Sequence, residues 1–289
     1  MDFSNTLPKY FQSLEIQFLL NLLPVYNINI LDREKYGGGN EKVKEYNKQF
    51  VDTTGTYTFT INESKLSNGI HLSVLSTDRH DCVTVFINTD DEVKQIAVLH
   101  NMSYYNNCAK EGLQKPGGGS LLMRFILNHL ISNKEKYNIK KIVLSDHSFL
   151  PCNDDDKYRI KLSRLRMITH GQTWYMKFQF VPYNAETGLP DNKASQMIDY
   201  NRNKINKMII KDIPVLELAV KEKGYNRGEI ERLMNKYISL KDFMIRLSQE
   251  WPKFCKLIWH IMEYLYEADV GKQPILIDLF GKQYYLKMI

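Results

Sequence analysis

The sequence predicts an α+β fold: an antiparallel meander, then a β-α-β-α-β succession, then a mostly α-helical C-terminal domain. Three observations predict it. Four short alternating or apolar runs follow one another between Thr56 and Met102, with turn-forming residues between them. A glycine-rich stretch, Gln114 to Ser120 (QKPGGGS), separates the last of these runs from a helical pattern. Beyond Gly188-Leu189-Pro190 the apolar spacing is helical for most of the remaining chain. The expected domains are residues 1–190, with an N-terminal helical extension, and residues 191–289, with a terminal β-hairpin.

Each element has a local reason. Leu7 to Leu23 sets Phe11, Leu14, Phe18, Leu19 and Leu22 on one side of a helix, and Pro24 ends it. Gly37-Gly38-Gly39-Asn40, followed by a charged stretch (EKVKEYNKQF) and preceded by no clean strand, reads as a surface connection. Thr56 to Ile61 (TYTFTI) alternates Thr with larger residues, as a half-buried strand does. Asn68-Gly69 marks a turn, and Ile70 to Ser76, Cys82 to Asn88 and Gln95 to Met102 are the next strands. Their short connections favour antiparallel neighbours. After the glycines, Leu121, Leu122, Phe125, Ile126 and Leu130 share a helix face, and Ile139 to Ser145 is a fifth strand. Asn153-Asp154-Asp155-Asp156 reads as an inserted acidic loop. In the C-terminal part Ser239 and Asp242 form a capping box, and Pro252 opens a helix carrying Leu257, Ile258, Ile261, Met262 and Leu265 on one face. Trp251 and Trp259 fit a core better than a ligand box. Ile275 to Leu279 and Tyr284 to Met288 flank a Phe-Gly-Lys turn and are expected to pair.

Composition bounds the function. Apolar residues are 43% and charged residues 25% of 289, which suits a globular chain with a buried core. A net charge of +6 from 39 basic and 33 acidic residues suits acidic small ligands and gives no dense stripe for nucleic acid. Cys82, Cys108, Cys152 and Cys255 are far apart and form no C-x-x-C pair. The expectation is therefore reduced thiols in the cytoplasm, with neither a metal site nor a disulfide framework. No basic n-region with an apolar core stands at the N-terminus, and no apolar run is long enough to span a bilayer.

The glycine stretch is the strongest chemical signal. A strand, a glycine loop and a helix start make an anion site, because the first-turn N–H groups are unpaired and the helix dipole favours negative charge there. Two familiar phosphate loops fail. A P-loop needs Lys and then Ser or Thr after its last glycine, where Gly118 and Gly119 stand. A dinucleotide fingerprint is broken at Leu122. Gln114, Gly117 and Gly119 do spell Q-x-x-G-x-G, which resembles the coenzyme A pyrophosphate loop of the GCN5-related N-acetyltransferase family. The element order from Thr56 to Asn184 is similar to that family's mixed sheet. Trp174-Tyr175 falls where the family's helix ends in an aromatic-Tyr pair, although Gln179-Phe180 replaces the usual Gly-Phe.

The resemblance implies acetyl-CoA as co-substrate, held by Gln114, Lys115, Gly117, Gly118, Gly119 and Ser120, and a primary amine as acceptor. Transfer would go by direct attack in a ternary complex. It also implies Tyr175 as general acid to the leaving thiolate. For the base, Asp146 and His147 rank first because they follow the fifth strand, at the end where ligand-facing groups collect. His100 and Glu111 come behind them. No metal ligand set is assigned. The competing expectation is a non-catalytic module of the same fold that works through a protein partner for its helical C-terminal part.

Overall fold

The computed structural model describes residues 33–36, 42–88, 95–103, 105–113, 117–152, 155–220, 225–267 and 273–288. The helix expected from Leu7 to Leu23, the Gly37 to Asn40 loop, Gln114 and Lys115 lie outside them. The fold is mixed α+β with a large, mostly antiparallel sheet content, and the described part divides into two compact units. One comprises Met1–Val143 with Lys287–Ile289, the other Leu144–Leu286. The helical region after residue 190 thus shares its unit with strands that precede it.

In the first unit the strands are β1 (Arg33–Tyr36), β2 (Lys42–Asp52), β3 (Gly55–Leu66), β4 (Gly69–Leu75), β5 (Asp81–Asn88) and β6 (Ile96–Met102). They lie in chain order and pair antiparallel from β1 to β6. The meander expected from Thr56 onward is therefore present, with two strands more in front, β1 and β2. From Lys42 on, the charged stretch that follows the glycine loop forms β2, which pairs with β3 from Lys42↔Lys65 to Asp52↔Gly55. Lys44, Tyr46, Lys48 and Phe50 share one face of β2, so lysines dilute the apolar half of the alternation.

Helix α1 (Gly118–Ser132) and the short α2 (Lys134–Tyr137) follow, then β7 (Lys141–Ser145), in which the chain passes into the second unit. The expected apolar face of α1 is buried at Leu121, Leu122, Phe125, Ile126 and Leu130. Alternation on β3 turns Tyr57, Phe59 and Ile61 inward, and Phe125 stacks on Phe59 at 4.0 Å and meets Phe50 edge-on at 5.8 Å.

The second unit begins at the end of β7. β8 (Phe149–Cys152) pairs with β9 (Asp155–Lys161), so Asp155 and Asp156 of the expected acidic loop lie in a strand, while Asn153 and Asp154 lie outside the described residues. Then come α3 (Leu162–His170), β10 (Val181–Asn184), β11 (Leu189–Pro190), α4 (Asn192–Ile205), α5 (Val215–Val220), α6 (Arg227–Lys236), α7 (Leu240–Gln249), α8 (Trp251–Tyr266) and β12 (Gln283–Lys287). The Ser239 cap is present, its hydroxyl accepting from the Asp242 N–H at 3.0 Å. Leu257, Ile258, Ile261, Met262 and Leu265 pack in one core with Phe243, Met244 and Leu247, and Trp251 and Trp259 sit against it half-buried.

The terminal hairpin is corrected. Ile275 to Leu279 is not a strand, because the buried Asn201 amide takes both backbone groups of Ile277, at 2.8 and 2.9 Å. β12 instead lies between β7 and β10 in strand order and pairs antiparallel with β10 through Val181↔Tyr285 and Pro182↔Tyr284.

The cysteine expectation is also corrected. Cys82 is bonded to Cys108 within the first unit and Cys152 to Cys255 within the second, with Cα–Cα separations of 5.9 and 5.5 Å. No cysteine is free, so neither Cys108 nor Cys152 offers a thiol to a ligand. Two bonds joining residues 26 and 103 positions apart leave no local spacing to read. Full pairing is the habit of chains folded in an oxidising compartment. Among the described residues no helix is long and apolar enough to cross a membrane.

Candidate functional site

In the first unit, α1 begins on Gly117 with φ 119°, a backbone state that a side chain strains and glycine does not. Among the described residues no side chain caps this end, and no acidic residue stands in its first turn. The Ser120 and Leu121 N–H groups already bond the Gly117 carbonyl, at 2.9 and 3.0 Å. The Ser120 amide is thus engaged by the chain itself. The N–H groups of Gly118 and Gly119 come before the first intrahelical bond. Among the described residues, a Cβ placed on Gly117 or Gly119 would meet nothing within 4 Å. A buried helix with such an end can hold a phosphate oxygen.

In the second unit a polar cluster gathers around Asp146, which is fully buried. Its backbone is clamped by the turn before β12: the Asp146 N–H donates to Lys282 O, and the Gly281 N–H to Asp146 O, at 2.9 and 2.7 Å. Oδ1 accepts from the Ser148 hydroxyl at 2.6 Å and from its N–H at 3.2 Å. Oδ2 has no partner. Burial pushes the Asp146 carboxyl up to about 6, against the Ser148 bonds that stabilise its charge.

Tyr175 belongs to the same cluster. It sits in a 3₁₀ turn, Tyr175–Phe178, between α3 and β10, and is 5% exposed. Burial first, and then the Asp146 charge, push its phenol well above the usual range, while the Ser148 hydroxyl pulls it down. Gln179 closes this turn at φ 67°, so a non-glycine residue supplies the left-handed bend expected of the missing glycine. Tyr284 from β12 lies 6.1 Å from the Tyr175 ring, and burial first, with the Asp146 charge as a smaller cause, raises its phenol. Tyr284 Oη and Thr173 Oγ1 are buried without a partner of good hydrogen-bond geometry.

The fold therefore brings Asp146 and Tyr175 together from β7 and the post-α3 turn. It adds Ser148, Thr173 and Tyr284, which sequence reasoning missed. Ser148 had a weak signal, as the second residue after an Asp at a strand end. Tyr284 had none, because its neighbours come from elsewhere in the chain. His147 stays outside: it is exposed, with its ring edge-on to Phe280 at 5.3 Å. His100 is exposed on β6. Glu111 is committed to Thr58, accepting from its N–H at 2.6 Å and its hydroxyl at 2.7 Å, and those bonds hold its carboxyl low despite partial burial.

A groove of about 430 Å³ lies elsewhere in the second unit, lined by Lys236, Tyr237, Ile238, Asp242, Ile245, Arg246 and Gln249. It holds none of these groups, and its Asp242 is taken up by the α7 cap. Among the described residues no three His, Cys, Asp or Glu side chains gather as metal ligands. Comparison with known proteins adds no relative: no family model, no curated protein and no solved structure matches the chain.

Proposed function

We propose that this chain is an acetyl-CoA-dependent N-acetyltransferase that moves the acetyl group to a primary amine by direct attack. The observation that carries the reading is the start of α1: a left-handed Gly117, no acid in the first turn and, among the described residues, no side-chain cap and nothing within 4 Å of a Cβ at Gly117 or Gly119. The N–H groups of Gly118 and Gly119 suit a diphosphate oxygen there. The succession of meander, glycine loop, helix and strand, with the last strand completing the second unit's sheet beside β10, also supports it. In the proposed chemistry Tyr175 keeps its proton at neutral pH and gives it to the departing thiolate. Asp146, titrating near 6, takes the proton of the attacking amine, with His147 as the exposed alternative.

One observation favours a second reading. Asp146 is fully buried and Tyr175 nearly so, which suits a binding module whose polar cluster is structural. Calorimetry with acetyl-CoA followed by a thiol-release assay across lysine peptides, polyamines and amino sugars separates the two. Binding with turnover that Tyr175→Phe reduces at least ~10-fold supports the transferase. Binding without turnover on any amine supports the module, and no binding removes the transferase.

A further inference from the structure

Four basic side chains gather in the second unit, where α3 packs on α7. Arg166 and His170 stand four apart on α3 and so share a face. Lys241 is in the first turn of α7, and Lys177 is in the 3₁₀ turn that follows α3. His170 is exposed and the other three are half-buried, so solvent reaches the group. Arg166 Nη1 lies 2.9 Å from His170 Nε2, and Thr169 Oγ1 lies 2.7 Å from His170 Nδ1. The Lys177 ammonium lies over the Trp174 and Phe178 rings, at 4.9 and 4.7 Å.

The hydrogen bonds assign the protons. The Thr169 hydroxyl donates to Leu165 O at 2.8 Å, so its oxygen accepts from His170 Nδ1, and Nε2 is left to accept from Arg166. The ring is neutral and gives Arg166 no counter-charge. Arg166 Nε is buried without a partner. Among the described residues no carboxylate acts on Arg166 or on His170. Burial first, and then the Arg166, Lys241 and Lys177 charges, hold the imidazole below the usual histidine range. The acids beside the group are committed elsewhere: Asp199 to Arg202 at 2.8 Å, and Asp242 to the Ser239 hydroxyl at 2.6 Å. A lysine in a first helical turn also stands against the helix dipole. Gathered cations without a counter-charge oppose folding, and residues that break a local rule together mark a site with a use.

We propose that Arg166, His170, Lys177 and Lys241 bind a phosphate dianion, either as inorganic phosphate or as the phosphomonoester of a small molecule. The guanidinium presents paired N–H groups to phosphate oxygens, and the lysines add point charges. Three cations match two negative charges better than the single charge of a carboxylate. An anion here favours a second proton on His170. Nε2 then changes from acceptor to donor, which releases Arg166 Nη1 to the phosphate. The charged groups that face His170 are Arg166 on α3, Lys177 on the turn and Lys241 on α7. From α4, Arg202 donates to Gly171 O at 3.0 Å and carries Asp199 with it. The inference rests on second-unit residues alone and stands whether or not the chain is a transferase.

The experiment titrates the full chain with inorganic phosphate and, separately, with glycerol phosphate, at pH 7 and fixed ionic strength. The readout is the His170 ring signal by NMR, assigned by its loss in His170→Gln, so an anion held at another place does not count. The expected result is a saturable shift with a Kd below ~1 mM, absent with chloride, and a His170 titration midpoint that rises when phosphate is present. Saturation by both anions shows that the phosphate group alone is read. Saturation by the ester alone assigns the small-molecule source, and by inorganic phosphate alone the ion. Arg166→Gln and Lys241→Gln are each expected to raise Kd at least ~10-fold. Lys207→Gln with Lys211→Gln, at exposed positions before α5, should leave it unchanged. If Arg166→Gln does not fold, Lys241→Gln decides. No saturable shift with either anion, the same shift with chloride, or a Kd that Lys241→Gln leaves unchanged overturns the proposal.

Discussion

Asp146 and His129 each leave a mark on the pH dependence of stability, and the marks have opposite signs. His129 titrates near 3 in the folded chain and near 6.5 when unfolded, so the unfolded state binds its proton first. Stability is lost as pH falls below 6.5, by about 2 kcal/mol at pH 5. His129→Gln should flatten that limb in denaturant titrations between pH 7 and pH 5. Asp146 runs the other way. Its carboxyl titrates near 6 folded and near 3.8 unfolded, so stability is lost as pH rises through that window. The full effect, about 3 kcal/mol, is present above pH 6. Asp146→Asn keeps an oxygen to accept from Ser148 and removes the buried charge. It should stabilise the chain by about 1–3 kcal/mol at pH 7.5 and by little at pH 4, read from urea midpoints. In the transferase reading the same variant loses turnover, so a gain in stability with a loss in rate marks Asp146 as a strained functional group. Neither residue could be ranked from the sequence. A His inside an apolar helix face and an Asp after a strand are common, and only the packing shows which one water abandons.

At the scale of elements, α1 carries the most. Its glycine start and apolar face were legible because both are local: a turn chemistry and a 3.6-residue period. Gly119→Glu tests its use. With nothing within 4 Å of the new Cβ, and with an acid welcome in a first turn, the melting temperature should hold or rise slightly. In the transferase reading, coenzyme A binding by calorimetry should be lost, because a carboxylate then occupies the place proposed for the diphosphate. Unchanged affinity would remove the donor site from this helix. Gly117→Ala does the opposite. At φ 119° a Cβ is strained, and a cost of about 1–2 kcal/mol is expected in thermal unfolding, whether or not a ligand is present. β2 was illegible for a physical reason. A strand that turns lysines toward a covering helix does not alternate apolar with polar, and its partner β3 rather than its own letters holds it extended.

For the whole molecule, each unit holds one disulfide, and each bond closes a long loop, over 26 residues in the first and 103 in the second. Closing loops of that length removes about 3–5 kcal/mol of unfolded-chain entropy apiece. Reduction should therefore lower the melting temperature, and Cys82→Ser with Cys108→Ser should lower the first unit's stability while sparing Cys152–Cys255. Thiol titration of the unfolded, unreduced chain should find no reactive cysteine. Four thiols there would remove both bonds and restore the reduced state that the spacing suggested. The sequence by itself determined the α+β order, the meander, the glycine start of α1 and the helical C-terminal region, since periodicity, turn residues and caps act over a few positions. The tertiary structure alone decided the disulfide pairs, the seat of the last strand, the inward lysine beside His129, and the meeting of Asp146 with Tyr175 and Tyr284. Those depend on burial and on contacts between distant residues, and a linear string carries no record of which groups lose water together.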